Sequence, residues 1–270
     1  MNETSNGDFW SLLKKSGYQL GSSVRVAEAL SPEQLQIAHG TTILAFKYAG
    51  GVVVAGDRRA TAGTSVMYDR TDKVVDIDRF SVLAIAGVPA TAFEIARIME
   101  HTFKYFRRSQ LQELSLDGKV RALSRLLREN VPMAIQGIGA VAPLYAVYDP
   151  ERKEGKIFFY DILGAEFEGV EFAVSGSGSP AVRGILHYEN RWGAKPLSRI
   201  GEEEALLLSM RLLETASEFD SATGGIKADT RLFPLIKLVT PDGCRTVPAN
   251  ELERLYSADT GKHNPGGSND

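Results

Sequence analysis

From residue 41 onward the chain alternates between two patterns. Some short runs are apolar at nearly every position; in longer stretches apolar residues recur every three or four. The first two runs, 41–49 (TTILAFKYA) and 52–57 (VVVAGD), flank Gly50 and Gly51, a tight-hairpin signal. Similar runs cover 81–86 (SVLAIA), 143–149 (PLYAVYD), 156–162 (KIFFYDI), 171–175 (EFAVS), 232–240 (LFPLIKLVT) and 244–247 (CRTV). Continuous rather than alternating apolarity predicts strands covered on both faces. Helical spacing appears at Ala92, Ile95, Ala96, Met99, Phe103 and Phe106, with Arg107 and Arg108 favouring the C-terminal end of that helix. A second helix is predicted through Val120, Leu123, Leu127 and Val131. A third starts at Pro180 with Ser179 as its N-cap, and a fourth spans 202–217 with Leu206, Met210 and Leu213 on one face.

The order is strands, two helices, strands, two helices, strands. It lacks the β-α-β alternation of a doubly wound parallel sheet. Two packed sheets with helices outside bury the apolar runs on both sides. The predicted class is therefore α+β, a four-layer αββα sandwich of two antiparallel sheets flanked by helices. No Pro/Gly/Ser linker interrupts 41–256, so it reads as one domain. Residues 1–40 carry scattered Ser, Gly, Asn and Gln with a few apolar anchors (Trp10, Leu12, Leu13) and read as a tail. Residues 257–270 read as a flexible C-terminal tail.

Composition narrows the classes. A net charge of −3 gives no basic field that points to nucleic acid. The single cysteine, Cys244, excludes an intramolecular disulfide and a multi-cysteine metal site, and fits a reducing cytoplasmic setting. No apolar run approaches the roughly 18 residues needed to span a bilayer, and Asp8, Lys14 and Lys15 break up the N-terminal run that a signal peptide would need. His39, His101, His187 and His263 stand in no metal-ligand spacing, and neither a G-x-S-x-G elbow nor a Walker loop is present. The loop 175–180 (SGSGSP) has the wrong glycine spacing for a dinucleotide fingerprint and reads as a strand-to-helix turn. No metal and no cofactor is expected.

One junction acquires meaning from its context. His39-Gly40-Thr41-Thr42 ends the tail and opens the first strand, and alone it is an ordinary turn before a strand. Behind it come Gly56-Asp57-Arg58-Arg59-Ala60-Thr61, Lys73, Ala86-Gly87, the serine-glycine loop and Asp220-Ser221-Ala222-Thr223-Gly224-Gly225. In order and spacing this set resembles the proteasome β-subunit family, with Asp57, Lys73 and Gly87 lying 16, 32 and 46 residues after Thr41. The resemblance covers about 41–255. The leader and the pI of about 5.9 look most like the actinobacterial type. One position departs from the archaeal-type pattern: Thr223 stands where a second serine is found, keeping the hydroxyl and adding a methyl.

The resemblance implies an N-terminal-nucleophile hydrolase made as a precursor, with residues 1–40 as a propeptide cut off between Gly40 and Thr41. Thr41 would then supply its hydroxyl as nucleophile and its freed α-amine as base, an amine that titrates near pKa ~7.7–8.0 when unperturbed. While Gly40 is attached, that nitrogen is an amide and the base does not exist. Lys73 would lower the hydroxyl pKa and relay its proton, and Asp57 would hold the ammonium. Gly87 would offer its N–H to the oxyanion. Ser177, Asp220 and Thr223 would hydrogen-bond around the Thr41 amine. Thr61 and Gly87 would bind peptide as an added strand. The first specificity pocket maps to Ala60, Thr71, Val75, Ile85 and Pro89, whose uncharged walls favour apolar residues before the cut.

The resemblance further implies stacked seven-membered rings of α and β subunits and a ring-shaped ATPase feeding in unfolded, tagged protein. It implies no nucleic-acid and no membrane partner. Three rivals share parts of this pattern: an HslV-type peptidase, another N-terminal-nucleophile amidohydrolase, and a catalytically silent ring subunit acting as scaffold. The long leader and the Asp220-Ser221-Ala222-Thr223-Gly224-Gly225 segment argue against the first, and the complete set of site residues against the last.

Overall fold

The computed structural model describes residues 9–18, 40–62, 65–136, 139–169 and 171–263. A short helix α1 (Phe9–Lys15) comes first. The hairpin β1 (Thr42–Tyr48) and β2 (Gly51–Gly56) follows, then a small two-stranded ribbon of β3 (Ala60–Ala62) and β4 (Ser65–Tyr68). Strands β5 (Val74–Asp78) and β6 (Ser81–Ala84) lead into helices α2 (Pro89–Gln110) and α3 (Leu116–Ile135). Four strands come next: β7 (Leu144–Asp149), β8 (Glu154–Tyr160), β9 (Glu166–Gly169) and β10 (Phe172–Gly176). Helix α4 (Ser179–Trp192), a 3-10 turn (Leu197–Arg199), helix α5 (Glu202–Phe219), strands β11 (Leu235–Thr240) and β12 (Gly243–Thr246), and helix α6 (Ala249–His263) complete the order.

Two five-stranded antiparallel sheets form, ordered β10-β1-β2-β11-β12 and β5-β6-β7-β8-β9. Period-two alternation along each strand sorts side chains between layers. Ile43 and Ala45 of β1 join Val52 and Val54 of β2 in a core shared with Val82 and Ala84 of β6 and Leu144 and Ala146 of β7. Leu44, Phe46, Val53 and Ala55 face the other way, onto Val182 and Leu186 of α4 and Leu206, Met210 and Leu213 of α5. Leu83, Tyr145, Val147 and Phe158 face outward from the second sheet onto Ile95, Met99 and Phe103 of α2 and Leu123 and Leu127 of α3. These three cores separate four layers, helix–sheet–sheet–helix. That is why the strand runs are apolar at consecutive positions.

The two sheets also gather one edge. Antiparallel pairing sets Thr42 opposite Gly176 and Ile43 opposite Gly56, so the start of β1 meets the ends of β10 and β2. The start of β5 lies against the end of β6, with Ile85 N–H donating to the Lys73 carbonyl at 2.8 Å. Asp57, Lys73, Gly87 and Ser177 all lie just beyond these strand ends.

The structure corrects several expectations. Ser179 is the first residue of α4, and Gly178 occupies the N-cap without a side-chain cap. Helix α6 runs through His263, so the C-terminal tail expected from residue 257 is helical over its first part; residues 264–270 lie outside the described residues. Leu252 and Leu255 seat α6 on the α4–α5 side. Of the leader's apolar anchors, Trp10 is 2% exposed in this chain's own core while Leu12 is exposed. Phe103 is core as well, whereas Phe106 is only partly buried.

Candidate active site

Asp57 follows the last residue of β2 and is fully buried. A bare carboxylate there would be strongly destabilising, and it is instead saturated by donors. Its Oδ1 accepts Thr42 N–H at 2.9 Å and Lys73 Nζ at 2.7 Å. Its Oδ2 accepts Arg59 N–H at 2.9 Å and Gly224 N–H at 2.9 Å. One side chain thus ties the start of β1, the turn before β3, the residue ahead of β5 and the loop after α5.

Lys73 is 4% exposed. Burial pushes its ammonium below the ordinary lysine range, and the Asp57 carboxylate only partly opposes this. An amine so placed gives up and takes back a proton more readily than a surface lysine. Thr41, 5% exposed, shares a small cleft with it.

A second set of bonds holds the other side of Thr41. Its N–H donates to Ser177 Oγ at 3.2 Å, and Ser177 Oγ donates to Asp220 Oδ2 at 2.5 Å. Thr223 Oγ1 donates to the same Asp220 oxygen at 2.6 Å and lies 2.6 Å from Thr42 Oγ1. The hydroxyl at position 223 therefore keeps a full set of short contacts despite its extra methyl. Arg59 braces this loop from outside, its Nη1 donating to the Ser221 carbonyl at 2.8 Å.

The cleft is lined by Gly40, Thr41, Arg59, Ala60, Thr61, Thr71, Lys73, Ile85, Gly87, Pro89 and Phe93. The sequence-predicted residues Ala60, Thr61, Thr71, Ile85, Gly87 and Pro89 come together here. Val75 does not line it; it packs against the core beneath α2 and α3. Phe93, one turn into α2, lines the cleft as well, although in the sequence an aromatic residue on an amphipathic helix reads as core. Arg59 and Thr42 carry no signal of their own in the sequence, although both sit directly beside candidate residues. Among the described residues, no group of three or more His, Cys, Asp or Glu is placed to hold a metal ion.

Two glycines are required by shape. At Gly40 a Cβ would fall 1.6 Å from Ala222 Cβ, so the residue ahead of Thr41 has no room for a side chain. Gly87 has φ +112°, and a Cβ there would lie 2.1 Å from the Ala140 carbonyl oxygen. The bridge Gly87↔Val141 and the bond from Val88 N–H to Ala140 O at 2.8 Å fix that approach. Gly87→Ala is expected to shift this turn and lower any hydrolytic rate by roughly 10²-fold or more, the scale of one lost oxyanion donor. Rate assays beside a thermal melt check it; full activity would remove Gly87 from the site.

A threonine ahead of a strand thus shares a cleft with a lysine–carboxylate pair and donates its N–H to a hydroxyl–carboxylate chain. A family model described as "Proteasome subunit" matches residues 37–227. The chain belongs to the proteasome subunit family. Relatives named "Proteasome subunit beta" occur in Acidimicrobium ferrooxidans and Streptomyces griseus, each 38% identical. The first match covers 82% of this chain and 78% of the relative, the second 82% and 76%. A "Proteasome subunit beta 2" from Thermomonospora curvata is 38% identical over 94% of this chain and 88% of its own length. The chain is thus a proteasome β-type subunit of the actinobacterial kind, and the four-layer sandwich is this family's N-terminal-nucleophile hydrolase fold. Membership implies assembly into multi-subunit proteasome rings. No helix among the described residues is long and apolar enough to cross a membrane.

Proposed function

We propose that this chain is a threonine-type endopeptidase, made as a precursor, whose leader 1–40 is removed by its own Thr41. The observation that carries this is that Thr41 shares one cleft with buried Lys73, held by Asp57 at 2.7 Å, while its N–H donates to Ser177, itself bound to Asp220 at 2.5 Å. In the precursor the Thr41 nitrogen is an amide donor, and its bond to Ser177 Oγ fits that state. The Thr41 hydroxyl attacks the Gly40 carbonyl carbon and passes its proton toward Lys73. The C–N bond breaks, the nitrogen takes up a proton, and an ester of Thr41 remains for water to hydrolyse. The product carries a free α-amine beside the hydroxyl, so the cut creates the base that later turnovers use.

In the mature site a peptide lies along Thr61 and Gly87 and presents its carbonyl to Thr41 Oγ. Ile85, Pro89 and Phe93 supply an apolar floor, which favours apolar residues ahead of the cut. The working form is a cytoplasmic double stack of seven-membered β rings capped by α rings and fed with unfolded, tagged protein by a ring ATPase. The opposing possibility is a catalytically silent ring subunit. Intact-mass measurement on the assembled particle decides between them. A chain starting at Thr41 is the expected result; a particle whose chains all keep residues 1–40 is the scaffold.

A further inference from the structure

The leader contributes more than a blocked amine. Helix α1 is seated on the outer layer, across α2 and α3. Trp10 Nε1–H donates to Glu129 of α3 at 2.9 Å. One turn later Lys14 Nζ reaches the same carboxylate oxygen at 2.6 Å, lying 5.4 Å from the Trp10 ring centroid. Phe9 rests against His101 and Tyr105 of α2, with ring centroids 6.0 and 5.7 Å apart. Tyr18 meets Trp10 edge-on at 5.9 Å and donates its hydroxyl to the Glu94 carboxylate of α2. Leu13 and Tyr18 pack onto the core that Trp10 enters. The backbone closes the segment, with Tyr18 N–H donating to Leu13 O at 3.0 Å.

This is a helix-in-groove arrangement with aromatic anchors, the residue types that dominate binding energy in such grooves. Two carboxylates, Glu94 and Glu129, bracket the aromatic pair and select a donor-bearing ring followed one turn later by a cation. The contacts described above lie within segment 9–18 or join it to α2 and α3, and none involves the Gly40–Thr41 junction. Cutting that peptide bond leaves all of them in place.

We infer that the α2–α3 groove is a peptide-binding site whose occupant is this chain's own segment 9–18, and that the segment stays docked as a separate ligand once the leader is severed. The groove stands on the contacts above; only the natural occasion of severing rests on the proposed processing. By holding its own helix, the groove keeps an apolar face of α2 and α3 covered during the passage from precursor to mature subunit. Release then requires displacement by another helix of the same chemistry.

The test severs the leader independently of Thr41. A site-specific protease sequence inserted after Ala27 in the full-length chain is cut, and the product is followed by size exclusion and native mass spectrometry at tens of micromolar. The fragment bearing Trp10 is expected to travel with the body. A synthetic peptide of residues 9–18 is expected to displace it, and the same peptide with Trp10→Ala to do so at least ~30-fold less well, as for loss of a central aromatic anchor. The body is unchanged in that comparison, so misfolding cannot mimic the result. Glu129→Gln in the body is expected to weaken retention about 10-fold, because one charged acceptor serves two donors. Free elution of the fragment at once, or equal competition by the Trp10→Ala peptide, overturns the inference. A chain that never frees Thr41 yet holds the severed fragment refutes the proposed activity and leaves the groove standing.

Discussion

Replacing Thr41 with alanine is expected to give a folded precursor that keeps residues 1–40 indefinitely and hydrolyses no peptide. The substitution removes the only proposed nucleophile, and loss of a nucleophile leaves rates lower by roughly 10⁴-fold or more. Stability is expected to change little, because the bond from the Thr41 N–H to Ser177 Oγ is made by the backbone and survives. Intact mass reads the leader, a fluorogenic apolar peptide reads the activity, and a thermal melt reads the fold. Thr41→Ser is the control: it restores a hydroxyl at the same place and is expected to process and to retain activity within about 10-fold. Cleavage after Gly40 in the alanine variant would show that another agent removes the leader. An active alanine variant would remove Thr41 from the mechanism altogether.

Much of the fold was legible because burial on both faces leaves an unusual mark. The runs at 41–49, 52–57 and 81–86 are apolar at consecutive positions, which only a covered sheet tolerates. Two strands with carboxylates at interior or alternating positions leave no such mark. β5 reads VVDID and β9 reads EFEG, and neither shows continuous apolarity. The ribbon of β3 and β4 is silent for another reason: all four residues of β4 are exposed, so no burial pattern marks it. Helix α1, at 7 residues, is too short for helical periodicity to register, and only tertiary contacts hold such a helix. Helix α6 buries two leucines in an otherwise polar sequence, and its part from residue 257 reads as tail.

The candidate site was legible as a spaced set, since Asp57, Lys73, Gly87 and Ser177 follow or precede strand ends on one side of the two sheets, and Asp220 ends α5. What spacing did not supply was orientation. Val75 and Phe93 exchange roles for that reason. Val75 lies inside a strand and is turned under α2, while Phe93 sits where the first turn of α2 overhangs the cleft. The hydroxyl chain from Thr42 through Thr223 to Asp220 was half legible: Thr223 appeared in a motif, while Thr42 looked like an ordinary strand residue.

The second large effect is expected at Asp57. An asparagine fits the same volume, but its amide group brings N–H donors to a place already filled with donors. Oδ1 and Oδ2 together accept three backbone N–H groups and the Lys73 ammonium, so at least one of these must lose its acceptor. Lys73 would then be a buried cation without a counter-charge, in a site that already pushes its pKa down. Breaking a buried ion pair from one side costs on the order of 3–5 kcal/mol. At about 2–4 °C per kcal/mol for a domain of this size, the melting temperature is expected to fall by roughly 10 °C. Processing and peptidase rates are expected to fall by at least ~10²-fold, because the lysine loses both its position and its charge partner. The double variant Asp57→Asn with Lys73→Met separates the two effects. Removing the orphaned cation is expected to recover part of the lost stability, as replacing both members of a buried pair often does. Activity is expected to stay lost, since the proton relay is gone. A double variant that regains hydrolysis along with stability would mean that Asp57 and Lys73 only hold the fold. One that regains stability alone assigns to the pair the step at which Thr41 gives up its proton.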